Sequence, residues 1–187
     1  MILLPAVAFA MPGADASWTV LQSSNPRIEC TTVGTEPWCR SSGSVAVPID
    51  KVANTLEHMA EYQHLFSAIT RIDVLAPDTM HIVLDYPFPL TDRDYVAKYT
   101  RSVEGEIRRY RWDPVVHPGA PETNDAVRLP RMAGEWRLEP AGAETKVTYL
   151  WQAEIAGSLP AGAYETARKT AGNEAIKDLG KAAAAAD

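Results

Sequence analysis

The sequence predicts an α+β fold, with an antiparallel sheet made of a hairpin and a meander, one helix between them and a long helix at the C-terminal end. Three observations carry this. From Ile28 to Ile155 the chain shows short β-rich or alternating runs, punctuated by Pro, Gly, Asp and Asn clusters. The links between the later runs are too short for crossover helices, so neighbouring strands must run antiparallel. Beyond Pro160 the chain continues without proline to about Lys181; twenty helical residues span about 30 Å, enough to cross a whole sheet.

In chain order, Ile28–Val33 and Trp38–Val47 read as two strands rich in Thr, Val and aromatic residues. A helix is expected from Pro48, with Asp50 in its first turn and Val52, Leu56 and Met59 at helical spacing, ending near Tyr62–Phe66. Six strands are then expected: Ile69–Leu75, Met80–Tyr86, Asp94–Val103, Ile107–Val116, Ala126–Leu138 and Lys146–Ile155. The last helix follows Gly157-Ser158-Leu159-Pro160 and carries Ala163, Ala167, Thr170, Ala171, Glu174, Ile176 and Leu179. Its stripe is mostly alanine, and small side chains bury little area at about 25 cal/mol per Å². Either part of that face looks onto a cavity that a ligand fills, or this is a surface helix of high propensity. The Ala182–Ala186 tail is expected to fray.

At 187 residues, 46% hydrophobic and 22% charged, the chain fits one folded domain with a sizeable core. A net charge of −6 argues against nucleic acid as a partner, which needs a surplus of Lys and Arg. Arg108, Arg109 and Arg111 form the one local basic run, read as a solvated sheet edge with Arg108 on the opposite face from the other two. Residues 1–16 read as a secretory signal: Met1–Ala10 is apolar, and Ala14-Asp15-Ala16 supplies small residues for cleavage, although no positive charge precedes the apolar run. Residues 17–187 are then the mature domain, periplasmic or secreted, or cytoplasmic if the segment is no signal. Cys30 and Cys39 flank Gly34-Thr35-Glu36-Pro37, so they can face each other across a hairpin. Export makes a disulfide the natural inference, worth about 2 to 3 kcal/mol for so short a loop; without it, two reduced thiols are expected. Two cysteines alone do not make a zinc site, and His58, His64, His81 and His117 lack paired metal spacing, which leaves them solvated or capping roles. No phosphate loop, dinucleotide fingerprint or Gly-x-Ser-x-Gly motif is present, so neither a cofactor nor a nucleophile with its base is expected.

Two motifs in this order of elements bring a family into view. Asp85-Tyr86-Pro87-Phe88-Pro89-Leu90-Thr91-Asp92-Arg93-Asp94-Tyr95-Val96 resembles the Pro-x-x-x-Arg-Asp-Phe/Tyr-Val signature of the START (steroidogenic acute regulatory protein-related lipid transfer) domains. Lys146-Val147-Thr148-Tyr149-Leu150-Trp151, followed by Gly157-Ser158-Leu159-Pro160, is similar to that family's last strand and its turn into the final helix. With Gly134-Glu135-Trp136-Arg137-Leu138, the resemblance covers roughly Trp18 to Lys181 and points to the bacterial branch. It implies a helix-grip fold, in which a curved antiparallel sheet wraps a long C-terminal helix around an internal apolar cavity. It also implies a non-catalytic role: binding, and transfer, of one sterol, hopanoid, phospholipid or fatty acid, by a monomer that touches membranes transiently. The alternative is an enzyme of the same superfamily, such as a polyketide cyclase or aromatase, and an interaction domain without a cavity is a third reading. Some sterol-binding relatives carry a cavity arginine six residues beyond the signature arginine; Tyr99 stands there in this chain and can donate a hydrogen bond instead.

The expected ligand wall follows from strand alternation. Val147, Tyr149, Trp151, Ala153 and Ile155 form the apolar face of the last strand, and Thr148, Gln152 and Glu154 the wetter one. Tyr95, Ala97 and Tyr99 form a matching series on the signature strand, with Trp136 on the strand between; Tyr86, Ala163, Ala167 and Ala171 complete the set. Core packing explains the same residues, and the resemblance decides for a ligand wall. Arg93 and Asp94 point to opposite faces and cannot pair with each other. For Arg93, two readings stand: the cavity mouth, or a strand-to-loop salt bridge or hydrogen bonds to carbonyls.

Overall fold

The computed structural model describes residues 10–86, 90–154 and 162–186. Most of the apolar leader, Pro87-Phe88-Pro89, Ile155 and the Gly157–Pro160 turn lie outside them. The elements are β1 (Thr19–Gln22), β2 (Arg27–Val33), β3 (Glu36–Val45), α1 (Ile49–Glu57), a 3-10 turn (Met59–Glu61) and α2 (Tyr62–Leu65). They continue with β4 (Ile69–Ala76), β5 (Thr79–Leu84), β6 (Asp92–Glu104), β7 (Ile107–Pro114), β8 (Ala126–Arg128), β9 (Gly134–Ala141), β10 (Glu144–Gln152) and α3 (Ala163–Ala185).

The strands form one sheet in the order β1-β2-β3-β10-β9-β7-β6-β5-β4. The hairpin and the meander are joined through β10, which pairs with β3 on one side and β9 on the other. That pairing brings β3 and the last strand together across about a hundred residues of chain, and α3 then crosses the joined sheet. The α+β helix-grip architecture is therefore the one observed.

Several local readings are corrected. β1, a short strand that pairs with β2, is an added edge. The run Ala126–Leu138 is two strands, because Pro130 has no N–H to donate and the chain leaves the ladder there. β8 runs parallel to Asp92–Asp94, on the side of β6 that β7 occupies from Ala97 onward. The first helix breaks at His58, whose ring Nδ1 takes the Asn54 carbonyl at 2.7 Å that a continuing backbone N–H would have taken. Nor is the arginine run at a sheet edge, since β7 lies between β9 and β6. Alternation there holds: Arg108 reaches Asp50 on α1, whereas Arg109 pairs with Glu135 and Arg111 with Asp113. The alanine tail does not fray, since α3 runs to Ala185, Ala183 is fully buried and Lys51 Nζ donates to the Ala186 carbonyl at 2.7 Å.

Residues on facing strands share a side of the sheet, so the register defines what the inner surface is made of. One row runs Cys30, Cys39, Trp151, Gly134, Trp112 and Tyr99. The next row runs Ile28, Ser41, Tyr149, Trp136 and Tyr110. Cys30 and Cys39, with Cα atoms 4.1 Å apart, are joined as a disulfide on this inner face.

Candidate functional site

The inner face carries more aromatic surface than the helix above it can cover, and a cavity of about 620 Å³ remains between them. Its floor is a linked set of rings. Tyr99 lies 6.2 Å from Trp112, Trp112 stacks on Tyr149 at 5.8 Å, and Tyr149 stacks on Trp151 at 4.8 Å, centroid to centroid. Trp136 sits 4.3 Å from Tyr149 and stacks on Phe66. Gly134 makes this packing possible: a Cβ there would stand 2.2 Å from Trp112 Cζ2 and 2.3 Å from the Leu150 carbonyl oxygen.

The roof is α3, which shows two faces. Ala163, Ala167, Ala171 and Ala175 line the cavity, with Thr166, Thr170 and Glu174 among them. Gly172, Ile176, Leu179 and Ala183 are buried against the sheet and α1. The second face is pinned by Ser41 Oγ, which donates to the Gly172 carbonyl at 2.9 Å, and by the Gln22–Asn173 amide pair. Gly172 permits this contact, since a Cβ there would press on Ile28 and Trp151 at 3.0 and 3.1 Å.

Of the residues singled out in the sequence, Tyr86, Tyr95, Tyr99, Trp136, Tyr149, Trp151, Ala163, Ala167 and Ala171 line the cavity. Ala97 is fully buried on the same face but packs in the core beside it. Arg93, also buried, is stacked on the Tyr86 ring at 4.5 Å and donates to the Thr91 carbonyl, so the tyrosine and not the guanidinium meets the cavity. Alternation missed Trp112, Tyr62 and Phe66, which also line it. The even-numbered face of Ile107–Val116 and the i, i+4 pair Tyr62/Phe66 were the available signals.

Its polar groups are five phenols, the carboxylates of Asp85, Glu154, Glu174 and Asp178, the Arg168 guanidinium, and Gln152, Thr166 and Thr170. Burial pushes Tyr62, Tyr95, Tyr99, Tyr149 and Tyr86 above the ordinary phenol range, so they stay protonated and act as neutral hydrogen-bond donors. Tyr62 already donates to the Leu56 carbonyl at 2.7 Å, whereas Tyr149 has no hydrogen-bond partner among the described residues. On the opposite side of the sheet, Asp94 accepts two hydrogen bonds from Arg128, at 3.0 and 2.7 Å, and meets His81 Nε2 at 2.7 Å. Burial opposes ionisation of Asp94, but Arg128 and His81 outweigh it and hold the carboxyl below the usual carboxylate range. His81 is therefore buried between Asp94 and Asp73 instead of solvated. This cluster clasps β8 to β6 and does not reach the cavity.

No family model matches the chain. The uncharacterized Pseudomonas aeruginosa protein PA1579 is 38% identical over 81 residues, 41% of this chain and 39% of that protein. The matched stretch thus spans about two fifths of that relative's length. Human StAR-related lipid transfer protein 5 superposes with a TM-score of 0.79 at 14% identity, over 90% of this chain and 87% of that one. A StAR-related lipid transfer protein from Xanthomonas axonopodis gives 0.72 at 20% identity, over 89% and 98%. An aromatase/cyclase from a Streptomyces species gives 0.50 at 18% identity, over 79% and 91%.

Proposed function

We propose, for a chain whose structural neighbours are StAR-related lipid-transfer domains, that residues 17–187 form one lipid-binding unit that carries a single hydrophobic molecule without changing it. The observation that supports this reading is the aromatic-floored cavity of about 620 Å³ under the alanine face of α3. Its size lies within the range of small-molecule sites, and its floor is aromatic, with tyrosine hydroxyls and a few charged side chains among the lining. Burial of a guest against this wall would return about 25 cal/mol per Å² of apolar surface. Tyr86, Tyr95, Tyr99, Trp136, Tyr149 and Trp151 form the wall, and Ala163, Ala167 and Ala171 the cover; Arg93 holds Tyr86 in place.

Carriage is favoured over a cyclase-like reaction by what faces the guest. Among the described residues no histidine lines the cavity and its phenols are held neutral, so proton abstraction there would fall to the lining carboxylates, of which Glu154 is paired with Arg131 and Asp178 accepts from Ser67. The Cys30–Cys39 disulfide favours an oxidising compartment, in line with residues 1–16 acting as an export signal. Among the described residues no helix is long and apolar enough to cross a membrane.

The test is native mass spectrometry of the full chain purified from its own host, followed by organic extraction. One bound amphiphile per chain, released on denaturation, is the expected result. A folded protein that carries nothing and takes up no hydrophobic probe overturns the proposal, and turnover of an aromatic polyketide would replace it with the enzyme.

A further inference from the structure

Ten arginines of this protein hold a carboxylate, and Arg93 holds the Thr91 carbonyl. Among the described residues Arg168 is the one arginine with neither an ion pair nor a hydrogen bond, and its Nε is buried without a partner. Its guanidinium carbon lies 6.0 Å from the centroid of the Tyr164 ring, at the outer limit of a cation–π contact. Arg168 is also the one arginine among the described residues that lines the cavity.

A guanidinium keeps its charge, and taking it from water without an acceptor costs free energy. The carboxylates that line the same hollow do not supply one. Glu154 is held by Arg131, and Asp178 takes the Ser67 N–H and hydroxyl. Asp85 is exposed to solvent. Glu174 stands two turns farther along α3, about 9 Å along the axis, where salt with a screening length of about 8 Å weakens its pull.

Helical side chains lean toward the helix N-terminus, so the head of Arg168 lies over the first turns of α3, beside Tyr164. From there to Asp178 the helix covers about 15 Å, along which the lining runs to Phe66 and Ile69. The hollow therefore has a cationic end and an aromatic length.

We infer that Arg168 receives the anionic oxygens of an amphiphile, a carboxylate, sulfate or phosphate monoester, whose apolar part lies along the aromatic floor toward Phe66. This rests on the carrier reading above, and adds the charge of the guest's head and the end at which it is held. The guanidinium fork can meet two oxygens of such a head at once, which a hydroxyl or an ester does not offer.

The test titrates the full chain at neutral pH against tryptophan emission with cis-parinaric acid, ionised there, and its methyl ester. Dehydroergosterol, which has no anionic group, reports the hollow itself. The acid is expected to bind about tenfold or more tightly than the ester, the range of hydrogen bonds to a charged group. Arg168→Gln is expected to weaken the acid about tenfold and so close the gap, and Arg168→Lys, which keeps the charge and loses the fork, to fall between. Since the guanidinium has no partner in the empty protein, Arg168→Gln should leave the melting temperature unchanged or higher, whereas a structural arginine would lower it. Inorganic phosphate, a head without a tail, should not displace the acid at equal concentration. An acid that binds no better than its ester, a preference that survives in Arg168→Gln, a melting temperature lowered there by more than about 4 °C, or displacement by phosphate overturns the inference and leaves lipid carriage standing. Failure of all three probes to bind the folded parent protein overturns the carrier reading itself.

Discussion

Gly134→Ala is the sharpest perturbation of the cavity floor. The new methyl would lie 2.2 and 2.5 Å from two carbons of the Trp112 ring and 2.3 Å from the Leu150 carbonyl oxygen. The ring can tilt away, but the carbonyl belongs to the central β10 ladder and is held by its neighbours. Overpacking costs about 1 to 3 kcal/mol, and a clash with backbone puts this substitution at the upper end. For a chain of this length each kcal/mol moves the melting temperature by about 2 to 4 °C, so a fall of about 6 to 12 °C is expected. The displaced Trp112 moves toward the hollow and disturbs its stacking on Tyr149, so near-ultraviolet dichroism should change and dehydroergosterol should bind more weakly. Differential scanning calorimetry and the probe titration read the two effects. A variant that melts within about 2 °C of the parent and binds the probe equally would refute the account of the floor.

Three further outcomes are expected. Ala167→Trp places a large side chain in the hollow beneath α3 and should abolish probe binding while leaving the melting temperature unchanged or higher; retained affinity in a titration would contradict the lining. Cys30→Ser opens a loop with a sequence separation of 9 residues, and loss of so short a crosslink should lower stability by about 3 kcal/mol in denaturant titration, with an unaltered unfolding midpoint arguing against the bond. Asp94→Asn should lose about 3 kcal/mol at neutral pH by leaving Arg128 buried without its carboxylate. Because the folded carboxyl titrates below its unfolded value of about 3.9, its stabilisation is present above that pH and is lost as the pH falls through the folded value. Parent and variant should therefore converge in acid, and a difference that persists there would contradict the sign.

The parts of this molecule that sequence exposed are those governed by local periodicity. Tyr149, Trp151, Tyr95 and Tyr99 line the cavity because a strand offers one side chain in two to each face, but at the end of β10 the alternation fails, since Gln152 and Glu154, read as the wetter face, line it too. The alanine face of α3 was visible for the same reason at helical spacing. Non-local choices were hidden. Nothing in β3 or β10 read singly reveals that they pair, since that contact depends on sheet closure. β8 is three residues long and parallel, with too little pattern to separate it from the run before Gly134. The His58 break rests on one ring nitrogen replacing one backbone donor, and the burial of His81 on two carboxylates that arrive from β4 and β6. Arg93 was read with two alternatives because its surroundings depend on where Tyr86 lies, which residue spacing does not specify.

The central claim is a hollow, and xenon tests it without reference to any lipid. Crystals of the ligand-free protein under xenon pressure should show anomalous peaks among Tyr99, Trp112, Trp136, Tyr149 and Ala167, since dry apolar voids take up the gas. Side-chain density that fills the space between the sheet and α3, with no xenon there, would contradict it.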